Sequence, residues 1–293
     1  GVELLYWWWM RLFIIAGAGF LLFWFITSVI NIFIKFKVVN TLSPYFFPAM
    51  LMYFIGLFFE RDFDGIRQGI SIGICYLGIT YLVKSRYLVY YALVILACFF
   101  HSTSLVFLLL PILQKINLSL KWVIAIAVAG ILLVILKVDI TEGVIAMLPD
   151  STMKGKVNTY LAAQDELYVK STGISVGIIF RLIILVLFTY FGARYYRGNP
   201  LYNILKNGFL FAIILSLIFN SVDLIAHRLG YGLRELQIFI VPSFMLITDN
   251  KWKKLGILSV IFLYSFFLLY RLLNTEHLKI YYQYDNVITN LLQ

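Results

Sequence analysis

Apolar residues run along almost the whole chain, interrupted mainly by short polar stretches, and they gather into segments at 12–34, 42–59, 66–83, 87–113, 121–138, 174–193, 203–221, 229–248 and 255–273. A helix needs roughly 20 mostly apolar residues to cross a bilayer, and it satisfies its backbone internally. The pattern therefore predicts helices that span or enter a membrane. The segment 87–113 behaves differently. If it crossed once, Lys35, Lys37, Lys84 and Arg86 would share a side with the acidic stretch 139–172, while Lys115, Lys121, Arg194 and Arg197 would lie opposite. Folding it back at Phe100-His101-Ser102 gathers these lysines and arginines, with Lys206, Lys251, Lys253 and Lys254, on one side together with Asp249. The positive-inside rule thus predicts a hairpin or re-entrant element with His101 at its inner turn. A helix from Tyr87 to Phe100 rises roughly 21 Å, short of a crossing of about 30 Å. His101 is then expected below the outer surface, at a turn that lines a cavity.

Composition narrows the class. At 62% hydrophobic and 13% charged, with a mean hydropathy of +0.92, the chain is no soluble domain, nucleic-acid binder or disordered segment. The expected fold is all-α: a polytopic transmembrane helical bundle of about 8 to 10 membrane segments, forming a single integral membrane domain over 1–293. The long polar stretch 139–173 reads as a periplasmic loop, and 274–293 as an interfacial tail. The net charge of +10 marks sidedness here. Cys75 and Cys98 fall inside apolar segments and read as small core residues. Trp7, Trp8 and Trp9 read as an aromatic belt. The chain opens on Gly1 with no charged stretch ahead of its first apolar segment, so it is expected to lack its true N-terminus.

Charge inside a membrane is costly and calls for a partner or a purpose. Arg67, with Gln68, opens the third segment on the face that carries Ser71, beside a stripe of Gly65, Gly69 and Gly73. Arg67 either snorkels or pairs with Asp64, or its guanidinium binds an anion at a helix start. His101, with Ser102, Thr103 and Ser104, is either a structural hydrogen-bonder or a general base. A helix through Asn220–Glu235 would stack Asp223, His227, Tyr231 and Arg234 on one stripe and Arg228, Tyr231 and Glu235 on its neighbour. That stripe either neutralises itself or recognises phosphate and sugar. Arg181 sits inside its span, facing a cavity or an unseen partner, while Arg11, Lys137 and Arg271 read as snorkelling. Tyr160, in the long loop, is a further substrate-binding candidate. No phosphate loop, HExxH, nucleophile elbow or Cys/His metal pattern occurs, so no metal or cofactor is expected. Asp62-Phe-Asp64 forms a DxD, a pattern too short to carry weight alone.

The runs Ile66-Arg-Gln-Gly-Ile-Ser-Ile-Gly, Tyr81-Leu-Val-Lys, Ala97-Cys-Phe-Phe-His-Ser-Thr-Ser-Leu and Ala226-His-Arg-Leu-Gly-Tyr231 resemble those of the EpsG family, Wzy-like bacterial exopolysaccharide and O-antigen polymerases. The departure is Ser104 before Leu105, where the family usually has Ser-Ala. The resemblance covers nearly the whole chain. It implies a GT-C-like polymerase of the bacterial inner membrane that moves a growing glycan from undecaprenyl diphosphate to a lipid-linked repeat unit on the periplasmic side. Arg67, His101 and Arg228 would be catalytic, and Gln68, Ser104, Arg181, Asp223, His227, Tyr231, Arg234 and Tyr160 would bind substrate. The partners would be the lipid-linked oligosaccharide, membrane lipid and a chain-length regulator protein. Rival readings are a polyprenyl-phosphate-sugar glycosyltransferase with Asp62 or Asp64 as base, a membrane-bound acyltransferase using His101, and a lipid-linked oligosaccharide flippase.

Overall fold

The computed structural model describes residues 3–138, 173–220 and 223–274, and these form helices joined by short turns, with no strand among them. Residues 139–172, which include Tyr160 and most of the stretch expected as a periplasmic loop, and residues 275–293, expected as an interfacial tail, lie outside the described residues. In chain order the helices are α1 (Leu4–Ile15), α2 (Phe20–Leu42), α3 (Phe46–Tyr53, running on as a π-helix over Phe54–Asp64), α4 (Ile66–Leu82) and α5 (Tyr87–Cys98). A 3₁₀ stretch, Ser102–Leu109, then leads into α6 (Leu110–Lys115) and α7 (Leu120–Ile135). From residue 173 onward come α8 (Val176–Tyr195), α9 (Pro200–Ile218), α10 (Asp223–Arg234), α11 (Gln237–Ser243) and α12 (Lys251–Leu273).

Local chemistry sets several boundaries. Asn199 caps α9 by accepting from Leu201 N at 2.9 Å, with Pro200 at the first helical position. Asn250 caps α12 by accepting from Trp252 N and Lys253 N, so orphan donors at both starts are satisfied. The expected first span, 12–34, is instead two helices. Ala16-Gly-Ala-Gly19 separates them, and Gly17 turns the chain at φ +68°, a conformation glycine adopts without steric cost. The segment 229–248 is likewise no straight crossing. It breaks at Glu235-Leu236 and again near Pro242, and everything from Tyr231 to Ser243 is buried. That segment is apolar because it sits inside the bundle. Among the described residues four helices, α2, α8, α9 and α12, are long and apolar enough to cross a membrane.

Residues 87–115 double back. α5 ends at Cys98, and the return limb from Ser102 packs along it, with the Tyr90 hydroxyl donating to the Phe107 carbonyl. The Lys115 ammonium comes back to lie 5.9 Å from the centre of the Tyr87 ring, at the opposite end of α5 from the turn. At that same end Asn207 Nδ2 donates to the Leu113 and Ile116 carbonyls, both at 2.7 Å, and Lys206 donates to the Leu118 carbonyl at 2.7 Å. Tyr195 and Tyr45 reach the Ile247 and Met245 carbonyls there as well. Lys35 does not belong to this end. It lies buried in the bundle against Asp62, so the charge count that set it beside Lys84 and Lys115 misplaces it. A lysine with a carboxylate partner has no need of the interface.

α4 is the axis of the packing, buried over most of Gln68–Leu82 between α2 and α5, while α12 keeps Val260, Phe262 and Leu263 on the outside for lipid. With Cys75 and Cys98 replaced, cysteines at positions 84 and 115 are expected to react with a membrane-impermeant maleimide from the same side. Labelling from opposite sides would refute the fold-back as a membrane hairpin.

Candidate functional site

The turn at Phe99–His101 and the start of α4 are joined through the N-terminus. Leu5 N donates to the Phe99 carbonyl at 3.1 Å, which sets Glu3 beside both. Arg67 Nη1 donates to Glu3 Oε2 at 3.0 Å, and His101 Nδ1 lies 3.2 Å from Glu3 Oε1. Arg67 is therefore paired with Glu3; the side chain of Asp64 lies outside the described residues. Burial pushes the Glu3 carboxyl up, but the hydrogen bond from His101 and the charge of Arg67 outweigh it and hold the group at about 2. It is a carboxylate at any physiological pH. A histidine that donates Nδ1–H to such a carboxylate presents Nε2 to an incoming group.

One residue on, buried Gln68 donates from Nε2 to the Arg228 carbonyl at 3.4 Å, drawing the start of α4 against α10. One turn further, the Ser71 and Ser104 hydroxyls hydrogen-bond to each other, tying α4 to the return limb. Gln68, Ser71 and Ser104 thus hold Arg67, His101 and Arg228 in one neighbourhood. Ser104 is buried and engaged, so it positions the helices where the sequence assigned it to the sugar.

Tyr231 also differs from its expected part. Its ring is buried, its hydroxyl donates to the Gly56 carbonyl at 2.7 Å, and the Arg61 and Arg234 guanidiniums lie 3.7 Å and 4.4 Å from the ring centre. It is a platform for two cations. Arg234 Nε is 3.5 Å from Glu235 Oε1, Gln237 donates to Glu235 Oε2 at 3.0 Å, and Tyr264 donates to Gln237 Oε1 at 3.3 Å. Glu235 therefore partners Arg234, not Arg228 as self-neutralisation of the stripe required. Arg228 is exposed. The side chains of Asp223 and His227 lie outside the described residues, although their backbone is helical as expected.

Both carboxylate oxygens of Asp62 are engaged inside the bundle. Asn31 Nδ2 donates to its Oδ1 at 2.6 Å, Lys35 ion-pairs with the same oxygen, and the Tyr53 hydroxyl donates to Oδ2 at 2.5 Å. The glycine stripe of α4 serves this cluster. A Cβ on Gly69 would sit 2.5 Å from both the Arg61 carbonyl and Asp62 Oδ1, and one on Gly73 would sit 2.7 Å from Asn31 Oδ1. Among the described residues, no group of three His, Cys, Asp or Glu side chains is placed to hold a metal. The residues that sequence reasoning missed are Glu3 and Arg61. Glu3 had a signal, being the only acid ahead of the first apolar segment.

An all-helical membrane protein with arginines and a histidine drawn to one turn defines the class. The EpsG family pattern matches residues 1–286, and the chain belongs to that family. This makes it an integral membrane protein of exopolysaccharide synthesis with a polymerase-like function. No curated protein and no solved structure matches it.

Removing one partner of a buried ion pair strands the other charge and typically costs about 3–5 kcal/mol. Asp62→Ala is therefore expected to lower the melting temperature in detergent sharply, and Gly69→Ala to do so by displacing the same backbone. A Lys35→Met/Asp62→Leu double variant should recover much of the loss. Wild-type melting of Asp62→Ala would remove the cluster from its structural role.

Proposed function

We propose that the protein is a polysaccharide polymerase of the bacterial inner membrane. It would transfer a growing glycan from undecaprenyl diphosphate to a hydroxyl of an incoming lipid-linked repeat unit on the periplasmic side. The observation that carries this reading is the Glu3 carboxylate shared by Arg67 and His101, because it joins a phosphate-binding cation and a proton acceptor in one arrangement. The reading includes a GT-C-like bundle of about 8 to 10 segments, in which shorter helices enter the bilayer beside the four long ones.

In this mechanism Arg67 and Arg228 hold the diphosphate of the donor. Guanidiniums stabilise the charge that grows there as the bond between the anomeric carbon and the phosphate oxygen breaks. The acceptor hydroxyl forms the new bond to that carbon and gives its proton to His101 Nε2. Glu3 fixes the ring tautomer and balances the imidazolium that results, as the carboxylate does in histidine-based dyads. The diphosphate leaves as an anion, so no separate acid is required. Asp62, one of the two bases of the rival glycosyltransferase reading, is held by Lys35, Asn31 and Tyr53.

Purified protein supplied with lipid-diphosphate oligosaccharide is expected to form a ladder of products, unaffected by EDTA. Arg67→Lys and Arg228→Lys should each impair it although charge is kept, because the bidentate fork is lost. Full activity in both variants would overturn their assignment.

His101→Gln is expected to fold and bind the lipid-linked unit while polymerising on the order of 10²- to 10⁴-fold more slowly. Glu3→Gln should lower kcat through the lost tautomer control, with a smaller effect on KM. A well-folded His101→Gln protein working at the wild-type rate would leave His101 a purely structural residue.

A further inference from the structure

α1 is apolar along its length and lies at the surface of the bundle, with none of its residues buried and Leu4, Trp8, Leu12, Ile14 and Ile15 exposed. In water such a helix would be pressed onto the core. In a bilayer that drive is missing, because lipid tails are as apolar as the groups it would bury, and helices are held by close packing and polar contacts. Tyr6 and Phe13 pack on Phe23 with ring centres 5.8 Å and 5.4 Å apart, which seats α1 on α2. Its polar fastenings are Trp9 Nε1 donating to Thr27 Oγ1 at 2.9 Å, Leu5 N donating to the Phe99 carbonyl, and the two contacts of Glu3.

Most of these fastenings fall on the reaction site. Glu3 holds Arg67 and His101, and Leu5 holds the turn that carries His101. Tyr6 adds a cation–π contact, with its ring centre 5.7 Å from Arg67 Cζ. Both the ion pair and the ring contact of Arg67 thus come from α1. The Arg67 side chain is still 42% exposed, so an anion can reach it from outside and compete with the Glu3 carboxylate.

The other end of α1 is built to turn. Ala16-Gly17-Ala18-Gly19 joins it to α2, and the backbone hydrogen bonds of this linker run to the two helices it joins. A Cβ on Gly17 or Gly19 would meet no atom within 4 Å, and Gly17 already holds φ +68°. Two glycines without close neighbours absorb large changes of φ and ψ. α1 is therefore a rod of roughly 18 Å, pinned at one end by groups the reaction uses and pivoted at the other. Lifting it uncovers apolar faces that lipid can cover, so the polar fastenings make up most of the cost.

We propose that α1 is a lid over the site, pivoting at Gly17–Gly19 and latched by Glu3. An anionic headgroup that engages Arg67 releases the latch and lets α1 lift to admit the lipid-linked substrate. Closure then returns Glu3 to His101 for the transfer. The choice of a diphosphate as that headgroup rests on the polymerase reading, whereas the latch and the pivot do not.

Double electron–electron resonance on the full chain tests this, with Cys75 and Cys98 replaced by alanine and spin labels on Leu4→Cys, at the latched end of α1, and Leu88→Cys, on α5. Both positions are exposed. A rotation of about 20° at the pivot carries position 4 by roughly 6 Å. Unliganded protein is expected to give one distance, and excess inorganic pyrophosphate to add a second, shifted by several ångström. Glu3→Gln and Arg67→Gln should each populate the second distance without pyrophosphate. Sodium chloride at matched ionic strength should leave the single distance, and a shift in salt alone would defeat release by a bound anion. One unchanged distance, either under pyrophosphate or in Glu3→Gln, would make α1 a fixed wall and overturn the lid. Ladder assays separate the two claims: ladders from a protein whose α1 stays fixed defeat only the lid, whereas a lid that opens in a protein making no ladders defeats only the polymerase reading.

Discussion

A carboxylate buried in a helical bundle sets most of the geometry described here. Asp62 hangs from the end of the π-helix and is held by Lys35, Asn31 and Tyr53 from two other elements. Stranding any of these charges would be costly at this depth, so α2, the π-helix and α4 have little freedom to slide. Gly69 and Gly73 let the backbones close on the cluster. The neighbouring Arg61 is thereby delivered to Tyr231, which also carries Arg234. One ion pair on one side of α4 thus fixes where a pair of cations sits on the other.

The reacting groups are held by a second, looser device. Glu3, Arg67 and His101 come from three separate stretches of chain and meet at the end of the bundle opposite Lys115 and Asn207. Gln68 and Ser71, both on the first turns of α4, tie that end to α10 and to the return limb. The site is built on one rigid helix with a turn on either side, and the positions of its side chains follow from backbone contacts rather than from long flexible loops.

Much of this was legible in the sequence, and the failures have physical reasons. The doubling back of 87–115 could be inferred because lysines and arginines obey a sidedness rule that a single crossing would break. Arg67, His101 and Arg228 could be singled out because polar residues in an apolar run are conspicuous. Hydropathy could not tell a helix facing lipid from one facing protein, so 229–248 looked like a span when it is a broken core element. The partner of an intramembrane charge is set by tertiary contact, which is why Lys35 was counted as a surface cation and Glu235 was matched to the wrong arginine. Glu3 was passed over because it stands alone at the edge of an apolar stretch, with nothing local to reveal what it would meet.

The separation between Lys35 and Asp62 bears on how the protein is made. Lys35 leaves the ribosome 27 residues ahead of its carboxylate, and a lone lysine at the centre of a helix costs about 2.5–3.5 kcal/mol to insert. α2 is long and apolar enough to cross a membrane alone, but it carries that penalty until the π-helix has followed it and Asp62 neutralises the lysine. The insertion of α2 is thus energetically coupled to the arrival of the π-helix.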